Sequence, residues 1–288
     1  MTLLLSPTRA AVPLGPAWAV LCGAIAAPSW QWQGSTLLAL AVSALIAEVL
    51  WSSWRAHLRT DWREVLAAHP LPARRRPTIS LPYTQPSSPL GRALGRLQQV
   101  WQWVREAPAE QSAALVAAIV LPPITLVLAA LVGRQMFLLS LAAQAMTLIE
   151  WRAHHHGQKS HVFQAAIEIL FPWLAGHAML APITPTSLLL ACCFGFTYQG
   201  ALSLEAATGS LSRAWSLLLF FGGQAIAAAA LLFAPTSHAL YLVAGMGLLL
   251  APQALLLVYA GDSAEQPFYL RRAAPFVMVS MAIAAWVV

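Results

Sequence analysis

Charge is what this chain has little of. Only 9% of its 288 residues are Asp, Glu, Lys or Arg, and just ten are acidic, where soluble domains carry charge on about a quarter of their residues. With 59% hydrophobic residues, this composition excludes an ordinary soluble domain and places most of the chain in a membrane. Cysteine is nearly absent too. Cys22 and the adjacent Cys192 and Cys193 all lie in apolar runs, which excludes a disulfide framework and leaves them as small buried hydrophobes. No catalytic motif stands intact. The net charge of +6 comes from basic residues that border apolar runs, a pattern explained by orientation and anionic headgroups, so no nucleic-acid partner is expected. Residues Met1 to Ala10 are too short and too weakly apolar before Pro13 to make a cleavable signal, and the first span is expected to insert by itself.

What the chain does have is apolar runs. They fall at about 12–27, 35–54, 111–132, 135–151, 162–181, 186–205, 214–233, 237–259 and 273–288, mostly near the roughly 20 residues that cross a hydrocarbon core about 30 Å thick. The basic residues divide between the gaps. Fifteen of the sixteen Lys and Arg lie before the first run or after the second, fourth, sixth and eighth, and only Arg134 lies on the other side. Short loops rich in Lys and Arg stay cytoplasmic. The reading is an all-α polytopic membrane protein of about nine transmembrane helices, N-in and C-out, forming a single transmembrane domain over 1–288. Its first run, interrupted by Pro13 and Pro16, is the weakest span.

One loop is long, at 55–110. Its middle carries six prolines from Pro70 to Pro89 and cannot be regular helix. From Ser88 and Pro89, a cap and first-turn pair, Leu90, Ala93, Leu94, Leu97, Val100, Trp101 and Val104 recur on one face, opposite Arg92, Arg96, Gln99 and Arg105. This spacing predicts an amphipathic helix over about 89–105, lying on the cytoplasmic membrane surface or docking on a protein partner. Trp30 and Trp32 on one side, and Trp51, Trp54, Trp151 and Trp215 near the other, fit interfacial belts.

Counted inward from the cytoplasmic ends, Glu48, Gln144, Glu168, Gln199 and Gln253 all lie six or seven residues deep, a shared depth of roughly 9 to 10 Å at 1.5 Å per residue. A carboxylate near a span's centre costs up to about 3 kcal/mol unless it meets a partner or a wet cavity. These residues are therefore expected to form a polar chamber, or to bond helix to helix. His154, His155, His156 and His161 cluster at the end of the fourth run. Three consecutive histidines cannot all face one ion, so a metal site there would need His161 or another loop, the alternative being a solvated loop. His177 could ligate a haem or chlorin pigment through a ring nitrogen, or bond a carbonyl. Arg74, Arg75 and Arg76 could bind a phosphate or diphosphate headgroup, or serve orientation.

The layout of nine spans, N-in, with polar loops after the second and sixth, resembles the UbiA-type intramembrane prenyltransferases. That family carries carboxylate pairs on these loops, which hold magnesium against the diphosphate of an isoprenoid donor. Here Ser53, His57 and Asp61 stand where the family has an Asn and two Asp at four-residue intervals, and only Asp61 matches. Arg76 and Pro77 are similar to the family's Arg-Pro step but lie further along. Ala201 and Glu205 stand where two Asp belong, leaving Glu205 as a metal ligand. With the paired aspartates missing, the resemblance implies a UbiA-like bundle without metal-dependent catalysis. Such a protein would bind an isoprenoid, quinone or pigment in a bacterial cytoplasmic membrane, as a component of a larger membrane complex. Glu48, Glu168, Gln199 and Glu205 would line the polar end and Arg74 to Arg76 the mouth. A divergent prenyltransferase using magnesium at Asp61 and Glu205, and a proton-coupled transporter using Glu48 or Glu168, are the alternatives. Locally, Pro13, Ala17 and Trp18 resemble the early Pro and Ala-Trp of the YwiC-like membrane proteins, with Gly15 and Pro16 where that family has His-Gly. Lys159 and Ser160 followed by Glu168 resemble the polar entry to its middle span.

Overall fold

Three helices open on proline, at Pro16, Pro89 and Pro185, where the missing N–H costs nothing because first-turn amides have no partner within the helix. Ser88 and Thr184 cap two of them, their hydroxyl oxygens accepting from the Gly91 amide at 2.9 Å and the Ser187 amide at 3.1 Å. The computed structural model describes residues 15–31, 33–72, 88–155, 161–207, 209–233, 239–260 and 266–287. Among them the regular structure is entirely helical. The helices are α1 (Pro16–Ile25), α2 (Gly34–Leu58), α3 (Trp62–Ala68), α4 (Pro89–Glu106), α5 (Ala109–Val132), α6 (Arg134–His155), α7 (161–178), α8 (Pro185–Glu205), α9 (Ser210–Leu232), α10 (Ala239–Ala260) and α11 (Gln266–Val287). Six of them, α2, α5, α8, α9, α10 and α11, are long and apolar enough to cross a membrane. The protein is therefore all-α and membrane-embedded.

Two of these helices are not α-helical throughout. Leu45–Trp51 in α2 and Ala166–Leu170 in α7 are π-helical. In α7 the cause is legible. Pro172 has no amide to give the Glu168 carbonyl four residues back, and its ring crowds that carbonyl, so the preceding turn widens. In α2 the Ser52 hydroxyl donates to the Ala47 carbonyl five residues back, at 3.4 Å, within the wider register.

The chain divides into two compact units. The larger holds the described residues up to Ser52 and from Thr125 onward. Two close helix crossings organise it. Where α1 meets α7, a Cβ added at Gly23 would lie 1.9 Å from the Trp173 carbonyl oxygen, and one at Gly176 would lie 1.9 Å from that of Val20. Where α8 meets α9, a Cβ at Gly200 would lie 2.4 Å from the Phe220 nitrogen, and one at Gly223 would lie 2.3 Å from the Cys193 carbonyl oxygen. Small residues let backbones touch in this way. As a result α1 is among the most buried segments, with Ala19, Val20, Cys22 and Ala24 wholly inaccessible. Helix α8 is the most buried of the six long apolar helices.

Side-chain bonds between distant residues help to hold the smaller unit, Ser53–Ile124. Trp54 Nε1 donates to the Ala118 carbonyl at 3.0 Å, Gln99 Nε2 to that of Pro72 at 2.8 Å, and Trp103 Nε1 to that of His69 at 2.8 Å. The amphipathic helix appears as α4, within one residue of its expected bounds. Helix α3, which periodicity did not announce, is N-capped by Asp61, whose Oδ1 accepts from the Arg63 and Glu64 amides at 3.0 and 3.3 Å. The first apolar run, expected over 12–27, is helical as Pro16–Ile25 within the described residues. Arg74 to Arg76, His156, Lys159, Ser160 and Pro13 lie outside the described residues.

The two adjacent glycines of α9 give a direct test. Gly223→Ala forces a methyl against Cys193 and Thr197, and its thermal stability in detergent should fall by about 3 kcal/mol. At Gly222 an added Cβ meets nothing within 4 Å, so Gly222→Ala should be neutral or gain up to about 1 kcal/mol of helix propensity.

Candidate functional site

Both deep glutamates sit in the π-helical turns: Glu48 within Leu45–Trp51 and Glu168 within Ala166–Leu170. A π turn inserts an extra residue, re-aims the side chains that follow it, and recurs at functional positions in helices. Each carboxylate then finds a different partner.

Glu168 is half-buried and meets α8. The Tyr198 hydroxyl donates to its Oε2, and Gln164 Nε2, one turn earlier on α7, donates to Oε1 at 3.1 Å. Tyr198 is itself only 2% exposed, so the phenol is fixed in the bundle with its hydroxyl aimed at the carboxylate. Gln199, the next residue on α8, is half-buried. The site thus combines a carboxylate acceptor, a phenol and a primary amide at the depth where the sequence places the polar layer. Tyr198 was not singled out by sequence. Its adjacency to Gln199 was no signal, since residues one apart on a helix do not share a face.

Glu48 meets α1. Its Oε2 accepts the Ala17 amide at 3.1 Å, the second amide of a helix whose N-cap, Gly15, has no side chain to offer. Glu48 therefore supplies from α2 the acceptor that an N-cap Ser or Asp would supply locally. A Cβ at Gly15 would lie 3.1 Å from the same oxygen, so the glycine leaves room for the carboxylate. A negative group here also faces the positive end of the helix dipole.

Other members of the expected layer have other settings. Gln253 is fully buried and exchanges amide bonds with Gln224 of α9, at 2.9 and 3.2 Å. Gln144 is buried on α6. His177 is fully buried, with Nε2 3.1 Å from the Pro182 carbonyl just beyond the end of α7. Near it, Trp173 Nε1 donates to the Ser187 hydroxyl at 3.1 Å and its ring stacks on Phe194.

The donor set does not fit a pair of magnesium ions. Asp61 is exposed and its carboxylate is engaged as the α3 cap. Glu205 is exposed at the last residue of α8. His154 is exposed, His155 packs its ring against Trp151 at 4.7 Å, and His161 is half-buried. Among the described residues no three His, Cys, Asp or Glu come together to hold an ion. No family model, curated protein or solved structure matches the chain.

Two substitutions test the geometry. Tyr198→Phe removes a hydrogen bond to a carboxylate and should lower stability by about 2 kcal/mol, read as a shift in thermal unfolding in detergent. Glu48→Ala removes the cap of α1 and should cost about 1 kcal/mol more than Glu48→Gln, whose side-chain oxygen can still accept the Ala17 amide.

Proposed function

We propose that this chain binds an amphipathic molecule of isoprenoid, quinone or pigment type inside a helical bundle, without metal-dependent catalysis of its own, as a component of a membrane complex. The observation that carries this reading is the Glu168–Tyr198 pair on the π turn of α7. At that depth the Glu168 carboxylate, held in place by the Tyr198 phenol, offers an acceptor to a ligand's hydroxyl, while the surrounding helices offer apolar walls to its tail. The layout similar to the UbiA-type prenyltransferases supports the same class of ligand. In this reading α1, α6 and α7 join the six long apolar helices to make nine spans. In the same reading the amino terminus lies inside, which the distribution of Lys and Arg supports, and the membrane is a bacterial cytoplasmic one.

Glu48 favours a second reading, proton-coupled transport. Protonating it would weaken its hold on the α1 N-terminus, so proton uptake and the seating of α1 would be linked. That reading requires pH-dependent substrate flux in proteoliposomes that Glu48→Gln abolishes.

Native mass spectrometry of protein released gently from its own membrane separates these outcomes. The expected result is a retained isoprenoid, quinone or pigment that is lost in Glu168→Gln and Tyr198→Phe, with partner subunits present. A bare monomer carrying only bulk phospholipid would overturn the proposal. Magnesium-dependent diphosphate release from a prenyl donor, abolished by Glu205→Ala, would establish a divergent prenyltransferase instead.

A further inference from the structure

Helix α4 is packed the opposite way round from a soluble amphipathic helix. Its buried residues are Gly91, Gly95 and Trp103, and Gln99 and Trp103 fasten that side to the carbonyls of Pro72 and His69. The centre of its apolar face is left uncovered, while Leu94, Val100 and Val104 beside it are half-buried. Leu90, Leu97 and Trp101 are 52%, 66% and 59% exposed, and at 3.6 residues per turn they fall within a narrow arc of one face. Arginines flank the stripe. Arg96 is exposed about 40° around the helix beyond Val100, at one edge of the wider apolar face, and at the other edge the Arg105 guanidinium lies 5.7 Å from the centre of the Trp101 ring, a cation–π arrangement that leaves the ring exposed.

The connection to α5 supplies the position. Only Ala107 and Pro108 separate Glu106 from Ala109, the first residue of a 24-residue apolar helix able to cross a membrane. Three Cα steps of 3.8 Å hold the end of α4 within about 11 Å of the start of that span. The end of α4 is therefore tethered at the membrane border, where an uncovered Leu and Trp stripe faces a large apolar phase and Trp is enriched.

We propose that the Leu90–Leu97–Trp101 face of α4 is a lipid-binding surface that lies in the headgroup layer of the membrane, with Arg96 and Arg105 selecting anionic phospholipid. The occupant is lipid rather than protein because cations line both edges of an apolar stripe. That is the complement of an anionic headgroup over acyl chains.

The test uses the full-length protein in nanodiscs of phosphatidylcholine, with or without phosphatidylglycerol. Nitroxide labels are attached singly through Leu97→Cys and, as a reference on the opposite side, Glu106→Cys, in a Cys192→Ala background. The expected result is that the label at position 97 is open to oxygen and shielded from a water-soluble nickel chelate, while that at position 106 is open to the chelate. Adding phosphatidylglycerol should deepen position 97. Each of Arg96→Gln and Arg105→Gln should lower the immersed population about fivefold in the anionic discs. These exchanges lie on exposed positions and leave the buried face intact, so the fold is expected to survive them. A position-97 label open to the chelate in both discs would overturn the proposal, as would one shielded from both reagents, which would mean that protein covers the face. Immersion indifferent to phosphatidylglycerol and to both Gln exchanges would overturn the anionic selection.

Discussion

The contact of two helix backbones at Gly23 and Gly176 is the constraint on which the larger unit depends. Inside a lipid phase, apolar side chains gain little from facing one another rather than acyl chains, so helices associate through close packing and interhelical bonds. Glycine on both helices allows that packing, and it fixes α1 against α7 with no side chain between them. From there the placement of each carboxylate follows. α1 offers its N-terminus to Glu48 of α2, and α7, held on its other side by α8, brings Glu168 to Tyr198. The second glycine crossing, at Gly200 and Gly223, gives α8 and α9 the same intimacy.

Polar groups in such a bundle have no bulk water to fall back on, and the described residues show how the need is met. Thr147, Thr197, Ser216 and Ser280 turn their hydroxyls back to carbonyls four residues earlier in their own helices. Trp18 and Trp173 donate across helix boundaries, to the Met278 carbonyl and the Ser187 hydroxyl. Gln224 and Gln253 satisfy each other. Against that background the Glu168 site differs in kind, because it assembles a carboxylate, a phenol and an amide in one place and on a distorted turn.

The sequence made much of the helical skeleton readable and little of the site. Runs expected at 111–132, 186–205 and 237–259 appear as Ala109–Val132, Pro185–Glu205 and Ala239–Ala260, because hydropathy and length alone decide where a long apolar helix stands. Scarce charge likewise singled out Glu48 and Glu168. Their partners were not readable, since Ala17 gives a backbone amide and Tyr198 lies thirty residues from Glu168. The π turn of α7 had a signal in Pro172, four residues after Glu168, which depth counting passed over. The polar layer was drawn from equal depths along ideal helices, and depth says nothing of which face a residue occupies. That is why Gln253 meets Gln224 on a neighbouring helix.

Helix α1 also has a place in the order of assembly. At ten residues it is about 15 Å long, half the hydrocarbon thickness, and too short to be a stable span alone. The acceptor at its N-terminus arrives with Glu48, and the groove that receives Gly23 arrives with residues 173 to 176. The surface that accepts the Trp18 indole arrives only with Met278, 260 residues further along the chain. The first described helix to leave the ribosome thus waits for the last, α11, to complete its surroundings, and its native seat is a product of the finished bundle.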